Sequence, residues 1–162
     1  KAILLLNITN FKTLNITYGY NYANRIIVEM AKRLMDAIDE EDMLFHFGGD
    51  RFILFIQEFD DIKDLVNLAN SIINYLSLPF SDKNEQQYVN SEVAIVVIED
   101  EDITVDRVLQ DATLALSLKE KTVNGNSSVV VFNKEMEDTI LRRERIEKAI
   151  QRVISDEDSS CY

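Results

Sequence analysis

The segment His46-Phe47-Gly48-Gly49-Asp50-Arg51-Phe52 carries the strongest chemical pattern in the chain. Its two adjacent glycines lie between two apolar, β-prone runs, Met43 to Phe47 and Phe52 to Ile56. Glycine alone enters positive-φ conformations without a steric penalty, so the pattern predicts a hairpin closed by a two-residue Gly48-Gly49 turn. Asp50 then sits at the hairpin tip, a carboxylate beside exposed backbone N–H groups, where a metal ion or a phosphate finds partners of the right charge. The same residues also make a plain structural turn, and the spacing alone leaves both readings open. His46, on the strand before the turn, reads as a half-buried strand residue rather than a ligand.

A carboxylate at a hairpin tip needs neighbouring elements to hold it, and these are legible along the chain. Ala2 to Leu6 is a continuous apolar run, the pattern of a central strand covered on both faces. A short helical turn from Asn10 to Thr17 follows. A longer amphipathic helix comes next, in which Ala23, Ile26, Ile27, Met30, Ala31 and Leu34 recur at the i, i+3, i+4 spacing. After the hairpin, Asp61 to Leu76 forms another amphipathic helix, with Ile62, Leu65, Val66, Ala69, Ile72, Ile73 and Leu76 inward and Pro79 beyond its end. Phe80 to Gln87 is polar and reads as loop, Val89 to Ile98 as a strand and Val105 to Lys119 as a helix. Asn124-Gly125-Asn126 supplies a turn into an apolar strand, Ser128 to Phe132. The last helix, from about Lys134 to Ile154, gathers Met136, Ile140, Ile146, Ala149, Ile150 and Val153 roughly along one side, with its arginines largely elsewhere. The order βααββαβαβα predicts an α+β fold, with helices flanking a central, mostly antiparallel sheet. Residues 1–133 read as the domain, and 134–162 as a C-terminal helix and linker toward a following domain.

With 162 residues, 46% apolar composition and a single proline, the chain suits one well-filled core. Its formal charge of −12 opposes nonspecific binding to nucleic acid or to an anionic membrane, both of which need a basic face. An anionic ligand must therefore be met by a local site. One cysteine, Cys161, leaves no intramolecular disulfide and fits a reducing, cytoplasmic setting. No apolar run reaches the length of a membrane span. Both ends read as cut from a longer protein.

The hairpin segment resembles the signature hairpin of the GGDEF family, the bacterial diguanylate cyclase domains, and two further stretches follow in that family's order. Leu4-Leu5-Leu6-Asn7-Ile8-Thr9-Asn10-Phe11-Lys12-Thr13-Leu14-Asn15 resembles an apolar strand followed by Asp-x-Asp-x-Phe-Lys-x-x-Asn. Tyr18-Gly19-Tyr20-Asn21-Tyr22-Ala23-Asn24 resembles a Gly-His-x-x-Gly-Asp stretch that opens a long helix. The resemblance implies a nucleotidyl-cyclase-like fold and the joining of two GTP molecules into cyclic di-GMP across a homodimer. Each 3′-hydroxyl attacks the other nucleotide's α-phosphate, and two Mg²⁺ ions held by carboxylates stabilise the attacking and leaving oxygens. Carried onto this chain, the resemblance puts metal ligands at Asn7, the Ile8 carbonyl and Asp50, with Asp50 also the catalytic candidate. It puts nucleotide contacts at Asn15, Asn24, Gly48 and Gly49, and a phosphate-gripping lysine at Lys119 or Lys121.

Several of these positions depart from the family pattern. Asn7 stands where an aspartate is expected and offers an oxygen without a charge. Even about 2 to 3 kcal/mol of lost attraction weakens an ion site roughly a hundredfold. Arg51 puts a cation where a glutamate usually follows the signature aspartate. Asn24 replaces an aspartate that accepts from guanine, and Gly125 falls where an arginine grips the γ-phosphate. Asp39-Glu40-Glu41-Asp42 occupies the place of an Arg-x-x-Asp product-inhibition motif and reads as a solvated acidic loop. The resulting expectation is a degenerate GGDEF domain with weak or lost cyclase chemistry. It would act as a GTP-binding regulatory or scaffolding module in cyclic di-GMP signalling, its last helix leading into an EAL-type phosphodiesterase domain. Two alternatives stay open: a slow but active diguanylate cyclase, and a nucleotide-free protein-interaction module.

Overall fold

The computed structural model describes residues 1–82, 85–99, 102–121 and 128–158, with the backbone alone at 81, 82, 85, 119–121, 144 and 151–158. In chain order the elements are β1 Ala2–Ile8, α1 Phe11–Tyr18, α2 Tyr20–Ala37, β2 Met43–His46, β3 Arg51–Ile56 and α3 Ile62–Leu76. They continue with β4 Phe80–Asp82, β5 Glu85–Gln87, β6 Ser91–Val97, α4 Val105–Lys121, β7 Val129–Val131 and α5 Lys134–Asp158. The chain divides into two compact units, Lys1–Phe132 and Asn133–Tyr162. In the second, Asn133 precedes α5 and caps it, its side-chain oxygen accepting from the Met136 N–H at 3.1 Å.

The first unit is built on a five-stranded sheet of order β2-β3-β1-β6-β7. Strand β1 lies at its centre, antiparallel to both β3 and β6, and only the outer β7 runs parallel, to β6. The continuous apolar run at the start of the chain has this cause: a strand covered on both faces has no polar side to alternate with. Ala2, Leu4, Leu6 and Ile8 join the core that includes α2 and α3, through residues such as Ile26, Met30, Leu65 and Ile72. Ile3 and Leu5 point the other way, as the period of two requires, toward the face on which α4 packs with Val108, Ala112 and Ala115 buried. Each such fully buried large side chain is worth about 1.5–3 kcal/mol over an exposed one.

Two polar devices hold the helices in place. Asp61 caps α3 reciprocally: its carboxylate accepts from the Lys63 N–H at 3.2 Å, and the Asp64 carboxylate accepts from the Asp61 N–H at 3.0 Å. At the other end of α3, Arg33 of α2 donates to the carbonyls of Tyr75, Leu78 and Pro79 at 3.3, 2.8 and 3.1 Å. Its guanidinium also lies 3.9 Å from the centroid of the Phe80 ring. One cation thereby satisfies carbonyls at and beyond the helix end and ties α2 to α3.

Three local expectations differ. Phe80 to Gln87, expected as loop, holds a short antiparallel ribbon in which Phe80 pairs with Gln87. Buried Phe80 anchors it, and three-residue strands are too short to show alternation in the sequence. Ile62, expected inward, is exposed, because it directly follows the Asp61 cap and lies a turn short of the core-facing stripe. The turn between Asn10 and Thr17 is a full helix, α1. Among the described residues no helix is long and apolar enough to cross a membrane.

Candidate functional site

The hairpin ladder pairs Met43 with Phe55 through His46 with Phe52, and the Phe47 N–H extends it by donating to the Arg51 carbonyl at 2.9 Å. Gly48, Gly49 and Asp50 therefore form a three-residue turn, where a two-residue turn was expected. The physical reason lies on the neighbouring strand: the Ile8 N–H donates to the Asp50 carbonyl at 3.0 Å and draws Asp50 toward the end of β1. Both glycines have positive φ, +86° at Gly48 and +59° at Gly49, as this turn demands. A Cβ at either would meet nothing within 4 Å, so glycine is required by the backbone and the space above the turn is open. His46 is exposed rather than half-buried, because β2 is the sheet's edge. Its ring rests on Phe52 with centroids 5.0 Å apart, and Nε2 lies 3.1 Å from the Gly49 carbonyl oxygen.

Beside this turn, register brings three polar residues into one row across adjacent strands: Arg51 on β3, Asn7 on β1 and Glu92 on β6. Since Ile8 and Asp50 share a ladder hydrogen bond, Asn7 and Arg51 form a non-hydrogen-bonded pair, with Cα atoms about 4.5 Å apart and side chains close. The Asn7 Nδ2 donates to Glu92 Oε1 at 3.1 Å. An ionised carboxylate only accepts, so the amide turns its nitrogen toward Glu92 and its oxygen away. Glu92 is buried at 4% exposure, while Asn7, Asp50 and Arg51 are half-buried. The Ile8 carbonyl receives no N–H from Asp50 in return and has no other loop partner among the described residues.

These residues suit a divalent ion poorly. Among the described residues no three acidic, histidine or cysteine side chains group closely enough to hold a metal. The donors at hand are the neutral Asn7 amide, engaged through its nitrogen with the Glu92 carboxylate, the Ile8 carbonyl and the Asp50 carboxylate, with the Arg51 cation alongside.

The remaining expected site residues fall elsewhere. Asn15 lies on α1, half-buried, and its backbone carbonyl closes that helix by accepting from Gly19 at 3.0 Å. Asn24 is exposed on α2 and lines a cavity of about 650 Å³ with Arg25, Lys32, Arg33 and Phe80. Neither side chain is hydrogen-bonded to the Arg51–Asn7–Glu92 row. Lys119 and Lys121 stand on the last turn of α4, with only their backbone described. That helix connects the parallel pair β6 and β7, so its C-terminal end returns toward the end of the sheet where Val93 pairs with Val129, next to Glu92. Leu118, directly before Lys119, is buried. Gly125 and Asn126 lie outside the described residues. In the acidic loop, the Asp42 carboxylate accepts from the Gln57 N–H at 3.1 Å, and the Gln57 side chain donates to the Glu41 carbonyl.

Glu92 is the residue that sequence reasoning missed. A signal for it existed: one carboxylate inside the strand Ser91–Val97, which is otherwise apolar beyond its first residue, is rare unless the acid is paired.

A five-stranded antiparallel-rich sheet, helices on its faces and a glycine hairpin docked at the end of its central strand define an α+β domain of the nucleotidyl-cyclase type. The sequence model of the family described as diguanylate cyclase, GGDEF domain, matches residues 1–126, and the chain belongs to this family. Among its relatives are an uncharacterized signaling protein of Caulobacter vibrioides, 25% identical over 97% of this chain and 19% of the relative. Another is the bifunctional diguanylate cyclase/cyclic di-GMP phosphodiesterase MucR of Pseudomonas aeruginosa, 24% identical over 71% of this chain and 17% of the relative. The chain thus spans under a fifth of either protein's length. The fold is similar to that of the GGDEF domain of TpbB from Pseudomonas aeruginosa, with a TM-score of 0.76, 19% identity, and coverage of 86% of this chain and 81% of that one.

Proposed function

We propose that this GGDEF domain serves cyclic di-GMP signalling as a GTP-binding regulatory or scaffolding module, with cyclase chemistry weak or lost. The Arg51–Asn7–Glu92 row is the observation that carries the reading: where the family's reaction needs carboxylates around Mg²⁺, an amide is tied to a buried acid and a guanidinium stands beside it. A Mg²⁺ ion would rest on the Ile8 carbonyl and Asp50 and be held weakly. Without that ion the developing charge on the α-phosphate lacks its main stabiliser. The open Gly48-Gly49 turn and Asn15 still offer contacts to a nucleotide, with Lys119 or Lys121 on its phosphates. The family reaction also needs two copies face to face, and in this reading an EAL-type domain follows α5 in the longer protein.

One observation favours the slow-cyclase alternative. Turning the Asn7 amide over would point its oxygen and the Glu92 carboxylate at the same place, supplying one of the missing charges. A single experiment separates the two. The chain incubated with GTP and Mg²⁺ is expected to yield no cyclic di-GMP above background, while calorimetry detects GTP binding between about 10 μM and 1 mM. Sustained turnover near 1 s⁻¹, at the low end of ordinary enzyme rates, would establish the cyclase instead.

A further inference from the structure

A guanidinium faces the place where a metal ion was expected. Arg51 is half-buried, stands across the ladder from Asn7, and its side chain makes no hydrogen bond or salt bridge among the described residues. It cannot be spent on Glu92 across a direct strand pair, because β1 runs between them and Asn7 already donates to that acid. Relative to the family pattern, Asn7 removes one negative charge and Arg51 exchanges a negative for a positive. Both changes make the corner less suited to a cation, although Asp50 and Glu92 remain beside it.

The backbone next to Arg51 points the same way. Within the turn the N–H groups of Gly48, Gly49 and Asp50 have no acceptor among the described residues, and the space over both glycines is clear. Successive free N–H groups in a turn containing positive-φ residues make an anion-binding concavity. A guanidinium matches phosphate oxygens with paired N–H donors and gives up its hydration more readily than an ammonium.

We infer that Arg51 takes over the role of the divalent cation, so that the Gly48-Gly49-Asp50 turn and Arg51 bind the polyphosphate of a nucleoside triphosphate directly and without Mg²⁺. This deepens the proposed function and rests on the domain's binding GTP. Mg²⁺ then competes with Arg51 for the same phosphate oxygens.

Titration calorimetry of the 162-residue chain with GTP, and separately with inorganic tripolyphosphate, in EDTA and in millimolar Mg²⁺ tests it. GTP is expected to bind in EDTA at least as tightly as in Mg²⁺, with tripolyphosphate also binding in EDTA. Arg51→Glu should lose about tenfold or more in EDTA, Arg51→Lys should lose less, and melting curves should confirm that both variants fold. In Mg²⁺, Asn7→Asp combined with Arg51→Glu should regain affinity that vanishes on adding EDTA. Binding by the unaltered chain only when Mg²⁺ is present overturns the inference and leaves GTP binding standing. An Arg51→Glu variant with unchanged affinity in EDTA also overturns it. Absence of binding in both buffers overturns the inference together with the GTP-binding reading.

Discussion

Asn7 and Glu92 show how one atom can change what a site asks for. With an amide at position 7, an N–H to carboxylate bond reaches the buried acid from the neighbouring strand. With Asn7→Asp, two carboxylates would meet at the same distance, and like charges in a half-buried row repel unless an ion bridges them. We expect Asn7→Asp to lose about 1–3 kcal/mol in EDTA, a fall in Tm of roughly 2–4 °C per kcal/mol for a chain of this size. Adding Mg²⁺ should recover part of that loss. Combining Asn7→Asp with Glu92→Gln reverses donor and acceptor and should restore stability in EDTA. Thermal melts of the two variants with and without Mg²⁺ check this, and a single variant as stable as the parent in EDTA would show that the row tolerates paired acids.

The hairpin and the α2–α3 junction carry the predictions at the level of elements. Gly48 and Gly49 are needed for their positive φ and not for want of room, so a side chain costs backbone strain alone. Gly48→Ala and Gly49→Ala should each cost about 1–2 kcal/mol, and Gly49→Asn less, because asparagine visits the left-handed region more readily. Urea unfolding at constant m-value measures this, and equal costs for alanine and asparagine at position 49 would contradict it. Arg33 is a different case, because three carbonyls and the Phe80 ring depend on it. Arg33→Ala should cost about 2–3 kcal/mol, and Arg33→Lys should recover less than half, since an ammonium cannot present the planar fork that spans three acceptors. A lysine variant indistinguishable from the parent would show that only the charge matters there.

At the scale of the whole molecule, the net charge of −12 decides what does not bind. A single guanidinium such as Arg51 acts locally, whereas holding a polyanion through counterion release takes a broad basic surface, which this net charge opposes. The chain is therefore expected to show no shift of duplex DNA and no cosedimentation with anionic vesicles at about 0.1 M salt. Binding that weakens steeply with added salt would reveal a basic face that the composition hides.

Much of the architecture is legible in the sequence, because hydrophobic periodicity is a local property. The unbroken run Ala2 to Leu6 announces a central strand, the stripe from Ala23 to Leu34 announces a helix face, and two adjacent glycines announce a hairpin. Register is not local. Glu92 meets Asn7 across 85 residues of chain, and nothing near either one marks the other. The third turn residue, Asp50, is set by a hydrogen bond from β1, and the ribbon at Phe80 by one buried ring. The residue types at the site, Asn7, Asp50 and Arg51, could be read from the sequence. Which of them stand face to face was decided only when packing against α2, α3 and α4 chose one register for the strands, since a slip of one residue would have turned every apolar side chain of β1 to the wrong face.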